Sequence, residues 1–195
     1  MKVKAESQTK GKTTKSKTKE ITLIALMAAV MCILGPISLA IPISPVPISL
    51  GTLAIYLASY LLGMKRGTIS CLIYLLMGIV GLPVFTGFTG GIGKVMGPTG
   101  GYMIGYIFMA LICGFFAEKY NGKIPYNFAG MILGTAVCYA FGTVWLAIQN
   151  NMSFSAALAA GVLPFIAGDL AKIIIVLLIA PQINKRLKAA NLNAY

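Results

Sequence analysis

The sequence predicts an all-α integral membrane protein with six transmembrane helices and both termini cytoplasmic, and three observations carry that reading. Of 195 residues 58% are hydrophobic and only 10% are charged, whereas a soluble domain of this size carries about 25% charged residues. The apolar residues gather in runs close to the roughly 20 residues that cross a bilayer as a helix, and the mean hydropathy is +0.87. The basic residues cluster in the short breaks between these runs, as positive-inside topology places them.

Composition also narrows the chemistry. The net charge is +12, but seven of the sixteen basic residues lie within the first twenty positions. The excess is therefore a matter of membrane orientation, and no nucleic-acid partner is expected. Histidine is absent and the acids are Glu6, Glu20, Glu118 and Asp169, which removes most metal sites and most acid-base constellations. No metal site, catalytic residue or resident cofactor is expected. Cys32, Cys71, Cys113 and Cys138 stand singly in apolar segments without a CxxC pair, so they read as small hydrophobes.

Residues 1–19 are rich in Lys, Thr, Ser and Gly and cannot bury enough apolar surface to offset ordering entropy. They are expected to form a disordered basic cytoplasmic tail before a membrane domain over 20–188, with a second short cytoplasmic tail at 189–195. The first span runs from about Ile21 to Ala40. Ser38-Leu39-Ala40 resembles a signal-peptide cleavage site, but the tail is long for such a leader and five more spans follow, so an uncleaved helix is expected. On this helix Ala25 and Ala29 are four apart and form a smooth stripe that admits a close neighbour, either another helix of this chain or a partner subunit.

Pro42, Pro45 and Pro47 then force a stiff outside turn. The second span covers about Ile48 to Leu62, Lys65-Arg66 turns the chain inside, and the third covers about Thr68 to Phe85. From Thr86 to Tyr102 seven of seventeen residues are glycine. This backbone must turn tightly or approach something closely, and it lacks the GxxxxGK[ST] pattern of a phosphate-binding loop. Phe88, Ile92, Val95 and Met96 would anchor it as a lid over an outer cavity; the alternative is a flexible loop, or close helix packing at Gly100 and Gly101.

The fourth span is about Thr99 to Ala117 and the fifth about Tyr126 to Ile148. Tyr139 and Thr143 share a face of the fifth at i,i+4, suited to a ligand or to ordinary interhelical hydrogen bonds. Residues 153–160 suit a short outside helix. Pro164 is well placed to open the last span, which continues to Ile183, because its missing N–H costs nothing in the first turn. In this topology only Lys94 lies outside and only Lys172 lies in the membrane, with the other basic residues on the cytoplasmic side. There is no evident internal repeat of the kind that many secondary transporters carry.

The last span holds the only formal charges in any predicted span, Asp169 and Lys172. An ionised residue at the bilayer centre costs about 2.5–3.5 kcal/mol on insertion scales, which makes the pair a functional-site hypothesis. At i,i+3 they share a helix face. At about 1.5 Å per residue Asp169 lies roughly 7–8 Å below the outer helix end. A structural ion pair that pins two helices is the alternative. A channel would need a continuous water path, and an enzyme would need a nucleophile with a base.

Pro45-Val46-Pro47, Gly81-Leu82-Pro83-Val84-Phe85, the loop through Gly97-Pro98-Thr99-Gly100-Gly101-Tyr102, and Pro164-Phe165-x-x-Gly168-Asp169-x-x-Lys172 resemble the BioY family over about 20–186. These are biotin-specific substrate-capture (S) subunits of energy-coupling-factor transporters. The resemblance implies a six-helix, multi-pass plasma-membrane protein, bacterial in type, that binds biotin from outside. It further implies a transmembrane coupling subunit and two cytoplasmic ATPase subunits, so that ATP is used by partners. It matches Ala25 and Ala29 to the Ala-x-x-x-Ala pattern that meets the coupling subunit. Biotin's ureido ring would then be read by Asp169 and Lys172, with Tyr139 and Thr143 flanking the rings. Lys94 and the glycine-rich loop, with Gly91 and Phe88, would receive the tail carboxylate; the reverse pose, with Lys172 on the carboxylate, stays open. The alternatives are an S subunit for another small vitamin and, less favoured, a small-solute channel.

Overall fold

The structure is a computed structural model and describes residues 2–39, 46–190 and 192. Over these residues it is all-α apart from one two-residue strand pair. The elements run α1 (Lys2–Leu34), β1 (Ser38–Leu39), β2 (Ile48–Ser49), α2 (Gly51–Ile79), α3 (Ile92–Val95), α4 (Gly100–Lys119), α5 (Ile124–Gln149), α6 (Phe154–Gly161) and α7 (Leu163–Ala189). Among the described residues four helices, α2, α4, α5 and α7, are long and apolar enough to cross a membrane.

α1 takes in the Lys-rich stretch in which composition predicts a disordered tail, and it ends earlier than the expected first span. Gly35-Pro36 follows Leu34, and proline cannot donate the next helical hydrogen bond. The chain instead enters β1, where Ser38 pairs with Ser49 and Leu39 with Ile48 in antiparallel register. The second helix accordingly starts at Gly51, three residues after its expected start. The expected turn at Pro42 and Pro45, and Ala40 before it, lie outside the described residues.

α2 holds both the second and the third expected spans, because it breaks at Gly63. There φ is +77° and ψ is −169°, a conformation that an L side chain resists and glycine adopts freely. The chain folds back on itself at this point, so that a Cβ added to Gly67 would stand 3.0 Å from the Cα of Ser59. In a continuous helix those two residues would be about 12 Å apart at 1.5 Å per residue. The backbone N–H of Met64, left without an intrahelical partner by the break, donates to Glu118 Oε1 at 3.1 Å.

The basic breaks gather at this same end. Arg66 pairs with Glu20 of α1 at 2.8 Å, and Tyr60 donates to the carbonyl of Gly122 between α4 and α5 at 2.7 Å. The second leg of α2 stops at Ile79, short of the expected Phe85, ahead of the left-handed turn at Gly81.

α2 is the centre of the bundle, packing on α1, α4 and α7, while α4 packs along α5. The α4–α5 contact is close because a Cβ on Gly101 would run into Trp145 and the carbonyl of Phe141. Of the two readings of the glycine-rich stretch, tight helix packing is thus seen directly at Gly100 and Gly101. The expected lid anchors Phe88, Ile92 and Met96 are exposed. The reason lies in the backbone: Gly91 donates to the Gly78 carbonyl and Trp145 Nε1 to the Gly97 carbonyl. These bonds hold the loop by its main chain and leave those side chains outward. α6 is capped by Ser153, whose hydroxyl accepts from Ala156 N, and Pro164 sits in the first turn of α7 as expected.

Candidate functional site

Asp169 and Lys172 lie on the inward face of α7, 6% and 7% exposed. Their side chains meet at 2.8 Å. A buried ion pair repays its desolvation only if the remaining donors and acceptors are also satisfied, and neighbouring helices supply those partners. From the start of α2, Thr52 Oγ1 donates to Asp169 Oδ1 at 3.2 Å and accepts from Lys172 Nζ at 3.0 Å. From α5, the Tyr139 hydroxyl donates to Asp169 Oδ2 at 2.6 Å. One carboxylate therefore joins three helices through hydrogen bonds.

One turn deeper on α5, Thr135 is bonded to Tyr56 of α2 at 2.6 Å, and the Thr135 hydroxyl also reaches the Met131 carbonyl at 2.6 Å. Since Thr135 spends its proton on Met131, the Tyr56 hydroxyl is the donor between the two. Tyr102 on α4 donates to the Gly161 carbonyl at the end of α6 at 2.7 Å. Phe85, almost fully buried, stands edge-on to Tyr74 with ring centroids 5.7 Å apart.

These groups enclose one cavity. Its polar side is made by Thr52, Tyr56, Thr135, Tyr139, Asp169 and Lys172, and its apolar side by Val46, Phe85, Met103, Met109 and Phe165. An apolar chamber with a few convergent polar groups is the usual form of a small-molecule site. Among the described lining residues Lys172 is the one cation and Asp169 the one anion.

Of the residues singled out in the sequence, Asp169, Lys172 and Tyr139 come together in this cavity. Thr143 does not line it: it is buried beside Tyr102, which does. The polar face of α5 runs through Thr135 and Tyr139, one turn deeper than the Tyr139–Thr143 pairing. Lys94, Gly91 and Phe88 are likewise outside the lining. Phe88 is 70% exposed with φ +56°. Lys94 sits on α3, and its carbonyl receives the hydroxyl of Thr99, a lining residue, at 3.5 Å. From the glycine-rich stretch it is Thr86, Thr99 and Tyr102 that reach the cavity. Thr52 and Tyr56 escaped notice although they stand at i,i+4 near the outer end of the second span, a polar spacing equal to the one noted on α5. Ala25 and Ala29 are exposed on α1, on a stripe with Ile21 and Ile33, while Leu23, Met27 and Met31 turn inward.

The fold and the site together define a multi-pass membrane protein with an internal pocket for a small, partly polar molecule. The chain belongs to the BioY family, whose family model matches residues 7–189. It is 40% identical over 167 residues to the probable biotin transporter BioY of Pyrococcus horikoshii, covering 86% of this chain and 97% of that protein. It is 36% identical over 171 residues to the biotin transporter BioY2 of Lactococcus lactis, covering 88% and 93%. Among solved structures, the crystal structure of the S-component for biotin from an ECF-type ABC transporter superposes with a TM-score of 0.82. The identity there is 35%, over 88% of this chain and 93% of that one.

Proposed function

We propose that this chain captures biotin from outside the cell as the substrate-binding subunit of an energy-coupling-factor importer. The observation that carries the proposal is the unspent hydrogen-bonding capacity of the ion pair. A carboxylate offers about four acceptor positions, and Lys172, Thr52 and Tyr139 occupy three at Asp169. An ammonium has three N–H donors, and Asp169 and Thr52 take two at Lys172. One acceptor, on Asp169 Oδ2, and one donor, on Lys172 Nζ, remain. That is the complement of an N–H next to a carbonyl, which the edge of biotin's ureido ring presents. Discrimination follows, because a buried site built to bond such an edge leaves its own groups unpaired with any ligand that lacks it.

In this pose Tyr139 and Phe165 flank the rings, with Thr143 supporting from behind Tyr102. The apolar wall takes the thiophane ring, and the tail points outward. Lys94, one hydrogen bond from the cavity wall, receives the tail carboxylate at the rim together with N–H groups of the loop at Gly91 beside Phe88.

The membrane topology is read as six crossings: the apolar half of α1, the two legs of α2, α4, α5 and α7, with both termini cytoplasmic. The break at Gly63 supports this count, and the grouping of Arg66, Lys119 and Lys123 near one end supports the orientation. The exposed Ala25–Ala29 stripe is the docking surface for a transmembrane coupling subunit. That subunit in turn works with two cytoplasmic ATPase subunits, in the plasma membrane of a bacterial-type cell. ATP is consumed there, and this chain is a binder rather than an enzyme.

Equilibrium binding of the purified protein to a panel of small vitamins tests the assignment. Retention of biotin at one per chain, in preference to the rest of the panel, is expected. Stoichiometric retention of a different vitamin with no biotin bound would replace this reading.

A further inference from the structure

The ion pair accounts for one N–H and the carbonyl of a cyclic urea, which leaves the second ring N–H to be satisfied from elsewhere. The cavity hydroxyls differ in whether they already have a hydrogen-bond partner. Tyr139 spends its proton on Asp169, Tyr102 on the Gly161 carbonyl, Ser49 on the Gly35 carbonyl and Tyr56 on Thr135. Thr135 spends its own on the Met131 carbonyl. Tyr106 on α4, Tyr74 on α2 and Thr86 line the same cavity, and among the described residues their hydroxyls have no hydrogen-bond partner; of the two phenols it is Tyr106 that lies near Asp169.

Tyr106 sits deep in the bundle, near Cys138, Tyr74, Asp169 and Cys71, yet part of its surface is open. It is also one of the residues that line the cavity. A phenol without a partner in such a place is unfavourable until something bonds to it, and a phenol both donates and accepts. It belongs to α4, whereas the ion pair belongs to α7, so the two elements face the chamber from different sides.

We propose that Tyr106 is a specificity-determining residue whose hydroxyl accepts the second N–H of the ureido ring, so that the ring is read from α7 and α4 together. The inference rests on the biotin reading and sharpens it: the ligand class becomes cyclic ureas with both nitrogens unsubstituted. It follows that Tyr106 reads the ring and takes no part in holding the tail.

The test is Tyr106→Phe, which keeps the ring and removes the oxygen. Calorimetric titration with biotin, biotin methyl ester and desthiobiotin is combined with thermal unfolding of the ligand-free variant. The expected result is a loss of about tenfold in affinity for all three ligands, the size of one neutral hydrogen bond. The ligand-free variant should unfold at the same temperature as the parent or higher, since an unpartnered buried hydroxyl has been removed. A loss confined to biotin and absent for its methyl ester would make Tyr106 a reader of the tail and overturn the proposal. So would unchanged affinity, or a uniform loss accompanied by a less stable ligand-free variant, which is the mark of a packing role. Failure of the parent protein to bind biotin would overturn the functional assignment itself, and this refinement with it.

Discussion

Thr52 Oγ1 stands between the two charges of α7, accepting from Lys172 Nζ at 3.0 Å and donating to Asp169 Oδ1 at 3.2 Å. A hydroxyl at the start of α2 thereby holds an ion pair that is three residues apart on another helix. It fixes which lone pair of Asp169 and which N–H of Lys172 are left for a ligand.

Thr52→Val keeps the branched shape and removes both bonds. Hydrogen bonds to charged groups contribute about 1.5–3 kcal/mol each, and part of that returns as the freed groups rebond to one another or to water. A loss of biotin affinity of about 10- to 100-fold is expected by calorimetry, because the ion pair is free to rotate away from the ligand edge. An affinity unchanged within twofold would show that Asp169 and Lys172 hold their orientation without Thr52.

The ion pair should behave as a unit. Removing one member leaves the other charge buried without compensation, at a cost of about 3–5 kcal/mol, whereas replacing both is often neutral. Lys172→Met is therefore expected to unfold well below the parent in a detergent melt. The double variant Asp169→Asn with Lys172→Met should recover most of that stability while still failing to bind biotin. A double variant as unstable as Lys172→Met alone would count against coupling between the two.

At the other end of the ligand, Lys94→Ala separates tail from ring. The expected outcome is a fall of about 3- to 10-fold in affinity for biotin, as for an exposed ion pair of about 1 kcal/mol, with no change for biotin methyl ester. Equal losses for both ligands would remove Lys94 from the carboxylate site.

Docking is tested on α1. Ala25→Trp with Ala29→Trp places two large side chains on an exposed stripe, away from the inward face that carries Leu23, Met27 and Met31. Uptake by the assembled transporter should be abolished while biotin binding by the isolated chain is spared. Intact uptake would mean that the coupling subunit docks elsewhere.

How much of this was legible in the sequence depends on whether a feature shows in residue type or only in orientation. Asp169 and Lys172 were visible because two charges in one apolar run cannot be overlooked. Tyr139 was visible as a polar residue in the adjacent span, but its partner at the site is Thr135 and not Thr143. Both lie four residues away, and periodicity defines a helix face without saying at what depth that face meets α7. Thr52 and Tyr56 were missed because Thr and Tyr are common in membrane helices and nothing local distinguishes a ligand-reading hydroxyl from an interhelical one. The glycine-rich stretch announced an unusual backbone correctly. Whether its apolar side chains turned inward rested on main-chain bonds such as Gly91 to Gly78, which leave no trace in residue type. The early end of α1 followed from Pro36, a readable signal that the apolar run through Ala40 outweighed.

The central claim, that Asp169 reads a ring N–H with the acceptor position its protein partners leave open, is tested most directly by the affinity of Asp169→Asn for biotin. The amide keeps the shape but removes the charge that Lys172 balances and puts donors where a lone pair is needed. The account predicts a loss of at least about 100-fold, or about 2.8 kcal/mol at 1.4 kcal/mol per tenfold. An affinity within about threefold of the parent would contradict it.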